Sequence, residues 1–222
     1  MAQLKGFLFD MDGTLVDNLE YHFMAFEEYA KRMGFTLLEP LSLKHNGMHS
    51  DEIFKTLIGE DLTAEYGARR LNREKEEVYR EMYRPNVKPI AGLVEFIQKA
   101  KQAGLKCAIG SAGCRENVEF IVEELGIGDM IDASISGSDV THGKPHPEIF
   151  IKAREALGLK GEECIVFEDA VNGIKAGTAA GCKCVGITTT ATVEALSEVG
   201  ASICVKDFAS LSLARLEALL AE

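Results

Sequence analysis

The chain has 222 residues, of which 46% are hydrophobic and 27% charged, and 24 Lys and Arg stand against 35 Asp and Glu for a formal charge of −11. That length buries one sizeable core, or one core with a smaller lobe, and the ordinary apolar fraction excludes a disordered chain. The acidic balance repels nucleic acid and anionic membrane, so an anionic substrate must find local positive charge.

No apolar stretch approaches the roughly 18 residues that span a bilayer. The opening MAQLKGFLFD runs into a strand pattern without a signal-peptide cleavage site, so a cytoplasmic protein is expected. The six cysteines, Cys107, Cys114, Cys164, Cys182, Cys184 and Cys204, contain no C-x-x-C pair and mostly lie in apolar segments. They read as buried reduced thiols rather than zinc ligands or disulfides.

In chain order, the first element is the apolar run Phe7, Leu8, Phe9, which leads straight into Asp10, with Asp12 two positions later on a Gly-Thr turn. Two acids at the mouth of a buried strand repel each other and resist ionisation unless something compensates. The bland reading is a strand terminator followed by an ordinary turn. Asp17 reads as a helix N-cap, and Thr14 as a residue that fixes the loop.

Residues 17 to 86 offer helices and almost no strand candidate. LEYHFMAFEEYAKRMG carries Phe23, Phe26, Ala30 and Met33 on one stripe, and SDEIFKTLIG starts on a Ser50 cap. TAEYGARRLNREKEEVYREMYR reads as one long amphipathic helix whose alternating acids and bases form a solvated face. RPNVKP then reads as a linker. A helical insertion of this kind, between a first strand and the rest of an α/β core, suits a lid over a catalytic floor.

From residue 90 onward helix and strand patterns alternate. Leu93, Val94, Ile97 and Ala100 keep helical spacing and close on Gly104 before the strand LKCAIGS; RENVEFIVEELG precedes MIDASIS. PEIFIKAREALG, with Pro147 in its first turn, precedes CIVFED, and two further pairs lead to CKCVGIT and ASICVKD. The alternation predicts a parallel sheet with helices on both faces.

Ligands bind outside the carboxyl ends of such strands. Those ends carry Asp10 and Asp12, Ser111, Lys144 in the loop after IDASIS, and Glu168-Asp169 after CIVF. Four acids gathered on one rim call for a cation, and oxygen ligands with open positions suit Mg2+ bound to a phosphate. Each residue also has a bland reading: Lys144 as a solvated loop residue, Ser111 as a turn serine, Glu168-Asp169 as a helix cap. Gly173, Gly177 and Gly181 read as close-packing positions rather than a phosphate cradle.

The combination DMDGTLVD (10 to 17), GSAG (110 to 113), GKPHPEIF (143 to 150) and FEDAVNGIKAG (167 to 177) resembles the haloacid dehalogenase superfamily. The helical insertion resembles that of its β-phosphoglucomutase-like branch, and the resemblance covers essentially the whole chain. It implies an α/β fold with a Rossmann-like parallel-sheet core, residues 1 to 16 and 87 to 222, and an inserted α-helical cap, residues 17 to 86.

The resemblance further implies a Mg2+-dependent phosphohydrolase working through an aspartyl phosphate on a small phosphorylated metabolite, foremost a sugar phosphate. The alternatives are a β-phosphoglucomutase and, behind it, a non-catalytic binding protein of the same fold. Asp10 would be the nucleophile and Asp12 the general acid and base. Asp10, the Asp12 carbonyl and Asp169 would hold Mg2+ with Glu168 in support; Ser111, Ala112 and Lys144 would hold the phosphoryl group. No nucleic-acid or membrane partner is expected, and the chain is expected to be a monomer or weak homo-oligomer.

Substrate choice would fall to the cap. His22 either positions Asp12 or is a structural helix histidine. The mutase loop pattern of Lys-Gly followed by Arg is absent: Asn46 precedes Gly47, and Ser50 stands where the arginine would fall. His45 and His49 could line a leaving-group pocket, and Arg115 either contacts a distal phosphate or faces solvent.

Overall fold

The computed structural model describes residues 3–42 and 50–221, with the side chains of 50, 51 and 221 outside the description. Among these residues the chain forms two compact units, Met1–Asp17 with Val87–Glu222, and Asn18–Asn86.

The first unit is built on a parallel six-stranded sheet among the described residues, ordered β3-β2-β1-β4-β5-β6. Its strands are β1 (Gly6–Phe9), β2 (Lys106–Gly110), β3 (Ala133–Ile135), β4 (Cys164–Glu168), β5 (Lys183–Ile187) and β6 (Ala201–Val205). β1 lies between β2 and β4, with Phe9 opposite Ile109 and Phe167. A central parallel strand is buried on both faces, which is why β1 is a continuous apolar run rather than an alternating one.

The two faces bury different chemistry. Phe7, Phe9 and Phe167 meet Phe96 and Phe208; Phe9 stacks on Phe167 with centroids 5.0 Å apart at 11°, and Phe7 lies 5.1 Å from Phe96. On the other face Leu8, Ala108 and Val166 pack among Ile149, Phe150, Ala153, Ile174 and Ala176. Each such side chain contributes about 1.5–3 kcal/mol by leaving water, so the sheet centre is the firmest platform available to a strand-end site.

The helices of this unit are α5 (Leu93–Gln102), α6 (Arg115–Glu124), α7 (Glu148–Ala156), α8 (Val171–Ala179), α9 (Val193–Glu198) and α10 (Leu213–Ala221). Helix α10 adds an element beyond the sequence pairs named above. Pro147 sits at the N-cap of α7, one position earlier than its expected place in the first turn. Four buried thiols, Cys107, Cys164, Cys182 and Cys184, are free, and burial pushes each up to about 12.

The second unit holds α1 (Leu19–Met33), α2 (Ser50–Ile58), α3 (Glu60–Tyr66) and α4 (Ala68–Tyr83). Three expectations change here. The long helix is two helices, because Gly67 at φ +80° and ψ 119° leaves the helical region between α3 and α4. Its charged face is not wholly solvated: Lys75 and Glu76 are buried and paired with each other, and the Lys75 ammonium lies 4.5 Å from the Phe26 ring centroid. Asn18 rather than Asp17 occupies the N-cap of α1, and its amide donates to the Tyr79 hydroxyl at 2.6 Å instead of capping the helix.

Candidate functional site

The turn after β1 is formed by the backbone. The amides of Thr14, Leu15 and Val16 all donate to the Met11 carbonyl, and the Gly13 amide donates to Val16 at 2.7 Å. Gly13 holds φ +83°, which favours glycine, and a Cβ built there would overlap the Asp169 carboxylate. The loop is thus held by its main chain; the buried Thr14 hydroxyl has no hydrogen-bond partner among the described residues.

Asp10 continues the sheet pairing, its amide donating to the Phe167 carbonyl at 3.0 Å. That bond sets it beside the end of β4, where Glu168 and Asp169 follow. Asp10, Glu168 and Asp169 are all buried, and an oxygen from each lies within 4.8 Å of the others. Lys144 reaches in from the loop before α7, with Nζ 2.5 Å from Asp10 Oδ1, 2.8 Å from Glu168 Oε1 and 4.8 Å from the Phe150 ring centroid.

Ser111, at the end of β2, is buried; its amide donates to Ile135 at 3.0 Å and its hydroxyl accepts from the Gly113 amide at 3.0 Å. Around Gly113 a Cβ would stand 3.1 Å from Ser111 Oγ and 3.6 Å from Asp12 Oδ2, so the Asp12 carboxylate and the Ser111 loop converge on one spot. Ala112 is exposed beside them.

Electrostatics follow from burial. Desolvation drives the Asp10 carboxyl well above its usual range against the pull of Lys144, and Glu168, Asp169 and Asp12 push the same way. Burial, then Glu168, pushes Asp169 up to about 8. Burial works against the Lys144 ammonium, but Asp10 and Glu168 outweigh it and hold the charge on. Three acids buried beside one ammonium can all be ionised together only with a further positive charge, and their donor set is all oxygen. These residues fit a hard divalent cation.

Other expected residues fall elsewhere. His22 stacks on Tyr79, centroids 4.0 Å apart at 5°, with Nδ1 3.8 Å from Glu76, all within the helical unit. Arg115 donates to Asp139 at 2.6 Å. Asn46, Gly47, His45 and His49 lie outside the described residues.

The close packing expected at Gly173 and Gly177 is present; what the sequence reading missed is that Gly173 and the threonines after β5 support the acids and their loop. Gly173 lies so close to Glu168 that a Cβ would overlap its carboxylate, while Gly177 packs against Cys184 and Val166; Gly181 instead holds φ +79° at a helix end. Glu168 Oε2 accepts from the Ala170 amide at 2.8 Å, Thr190 bonds the Asp169 carboxylate, and Thr189 donates to the Gly13 carbonyl at 2.5 Å. The run TTT at 188–190 was the available signal.

The sheet order, the strand-end acids and the lysine together define a class of α/β fold with an acidic strand-end site, and the comparisons with known proteins name it. Residues 7–187 match the haloacid dehalogenase-like hydrolase family, and the chain belongs to that family. It is 30% identical over 210 residues to validoxylamine A 7'-phosphate phosphatase of Streptomyces hygroscopicus subsp. limoneus, covering 90% of this chain and 92% of that protein. It is 31% identical over 182 residues to the fructose-1-phosphate phosphatase YqaB of Escherichia coli, covering 82% and 95%. Among solved structures, a family IA variant 3 hydrolase from Entamoeba histolytica superposes with TM-score 0.88 at 26% identity, covering 99% of this chain and 100% of that one. β-Phosphoglucomutase from Clostridium difficile superposes with TM-score 0.79 at 25% identity, covering 98% and 97%.

Proposed function

We propose that the protein is a Mg2+-dependent phosphatase that hydrolyses a small phosphorylated metabolite, a sugar phosphate, through an aspartyl phosphate on Asp10. The observation that carries this reading is the grouping of Asp10, Glu168, Asp169 and Lys144 at the carboxyl ends of the central strands. Similarity to two phosphatases that act on phosphorylated sugar-like compounds supports the substrate class.

In this mechanism an Asp10 carboxylate oxygen attacks phosphorus as the bond from phosphorus to the leaving oxygen breaks. Asp12 gives its proton to that leaving oxygen. Asp12 then takes a proton from water, the water oxygen bonds to phosphorus, and the bond to Asp10 breaks to release phosphate. Ser111 and the Ala112 amide hold phosphoryl oxygens, and the Lys144 ammonium offsets negative charge on Asp10 and on the transferring group. Asp10, the Asp12 carbonyl and Asp169 would hold Mg2+, with Glu168 beside them. When bound, the ion supplies positive charge that lets several acids and a phosphate share one small volume.

The helical unit, residues 18–86, is the part we assign to substrate choice as a cap, with His22, Asn46, Gly47 and His49 as its candidate contacts and Arg115 as one from the core. Free buried thiols suit a reducing compartment, which supports a cytoplasmic setting. We take the working unit to be a monomer or weak homo-oligomer.

A second reading, intramolecular phosphate transfer on a hexose phosphate, draws support from the likeness to β-phosphoglucomutase. The mutase loop pattern is missing at Asn46-Gly47 and Ser50, which favours hydrolysis. Phosphate release from a panel of sugar phosphates, with Mg2+ and with EDTA, run beside a glucose 1-phosphate isomerisation assay, tests both. Isomerisation without phosphate release would overturn the first reading.

A further inference from the structure

We propose that His142, His146 and Glu148 form a second metal site, for a borderline transition-metal ion such as Zn2+ rather than Mg2+, on the loop that carries Lys144. One ligand atom from each of the three residues lies within 4.8 Å of the others, and His142 Nδ1 stands 3.1 Å from Glu148 Oε2. Zinc bonds of about 2.0–2.1 Å in a tetrahedron place neighbouring ligands about 3.3 Å apart, so this pair already has the spacing of two ligands. The histidine rings, with centroids 4.5 Å apart at 35°, bring the third donor alongside.

The donor set chooses the ion. Two imidazoles and one carboxylate suit zinc, nickel or iron(II), whereas Mg2+ demands oxygen ligands. The cluster is therefore chemically distinct from the all-carboxylate group of Asp10, Glu168 and Asp169.

Glu148 is prepared as a ligand. Lys152 at 2.8 Å and the amides of Thr141 at 3.1 Å and His142 at 3.0 Å fix its carboxylate in place. Lys152 and Thr141 take Oε1, while Oε2 is the oxygen turned to His142. His142 and His146 are exposed, so either ring can exchange its tautomer through solvent and present a lone pair, and water can fill the remaining positions. The three ligands flank Lys144, so an ion here ties together the segment that delivers that ammonium to Asp10.

The test is titration of the full chain with Co2+, in excess Mg2+, followed by its visible absorption and by isothermal calorimetry. The wild type should bind Co2+ with an intense visible band that Zn2+ displaces. His142→Ala and His146→Ala should each weaken binding roughly tenfold or more, since even partners outside a metal's ligand shell cost that much. Both residues are exposed, so both variants should melt as the wild type does. Asp169→Asn should keep the band. Unchanged affinity in both histidine variants, no band in the wild type, or a band lost only in Asp169→Asn would each overturn the site.

Discussion

Lys144 lies 134 residues from Asp10 in sequence, yet its ammonium stands 2.5 Å from Asp10 Oδ1 and 2.8 Å from Glu168 Oε1. One half-buried cation thus serves two buried acids, with Asp169 adjoining. Removing the cation and removing one acid should have unequal consequences.

Lys144→Met leaves three buried carboxylates with no ammonium among them and should destabilise the metal-free protein by about 3–5 kcal/mol. Asp10→Asn removes one negative charge and leaves Lys144 paired with Glu168, so its cost should be far smaller. Urea denaturation in EDTA measures both. Asp10→Asn should still lose turnover of an aryl phosphate by about 10⁴-fold or more, in line with the loss of a nucleophile elsewhere. Equal stability losses in the two variants would contradict this account of the cluster.

Divalent ions should act on stability as well as on rate. An ion that binds the folded chain alone stabilises it by about 2.7 kcal/mol when present at 100 times its dissociation constant. Mg2+ should therefore raise the melting temperature and EDTA abolish both the rise and the activity. Asp169→Asn should show little of this response. A full Mg2+ shift in that variant would place the ion elsewhere.

Gly173→Ala should disturb Glu168, because the added methyl occupies the space of its carboxylate. We expect about 1–3 kcal/mol of destabilisation from overpacking and a fall in kcat/KM of roughly tenfold to a hundredfold as Glu168 leaves Lys144. Gly128→Ala, whose nearest neighbour to a new Cβ is a Val122 methyl at 3.7 Å, serves as the control and should leave activity unchanged. Normal kinetics in Gly173→Ala would show that Glu168 is not needed in its observed place.

Asp139 gives a pH signature remote from the acids. Partial burial opposes its ionisation, but the Ser136 hydroxyl at 2.7 Å and amide at 2.8 Å, with Arg115 at 2.6 Å, hold the carboxyl down to about 2. A folded-state value below the unfolded one stabilises the fold above about pH 4, and that contribution is lost as pH falls towards 2. After discounting for solvent screening, Asp139→Asn should cost about 1 kcal/mol at neutral pH and nothing near pH 2. Denaturation midpoints of both proteins across acid pH check the convergence.

The position of the acids at strand ends was legible because it is local. An apolar run that ends in Asp10, or in Glu168-Asp169, marks both a buried parallel strand and the rim where its ligands gather, whatever the rest of the chain does. Helix breaks were less legible. Gly67 sits inside a periodic pattern, and only its backbone angles show that the pattern belongs to two helices. Lys75 and Glu76 defeated the charge-run reading for a related reason: alternation along a sequence does not say which side chains find partners away from water.

The sequence alone therefore determined the parallel α/β core, the helical insertion and the identities of the acids, lysine and serine at the strand ends, since periodicity and turn chemistry act over a few residues. Tertiary structure decided which of Lys144's neighbours share its charge, that Gly13 and Gly173 make room for Asp169 and Glu168, and that His142 faces Glu148. Lys144 meets Asp10 across 134 residues and Gly13 meets Asp169 through strand register, which no short-range pattern encodes; Gly173 with Glu168, and His142 with Glu148 six residues on, are close in sequence, but only the folded backbone path aims them at each other.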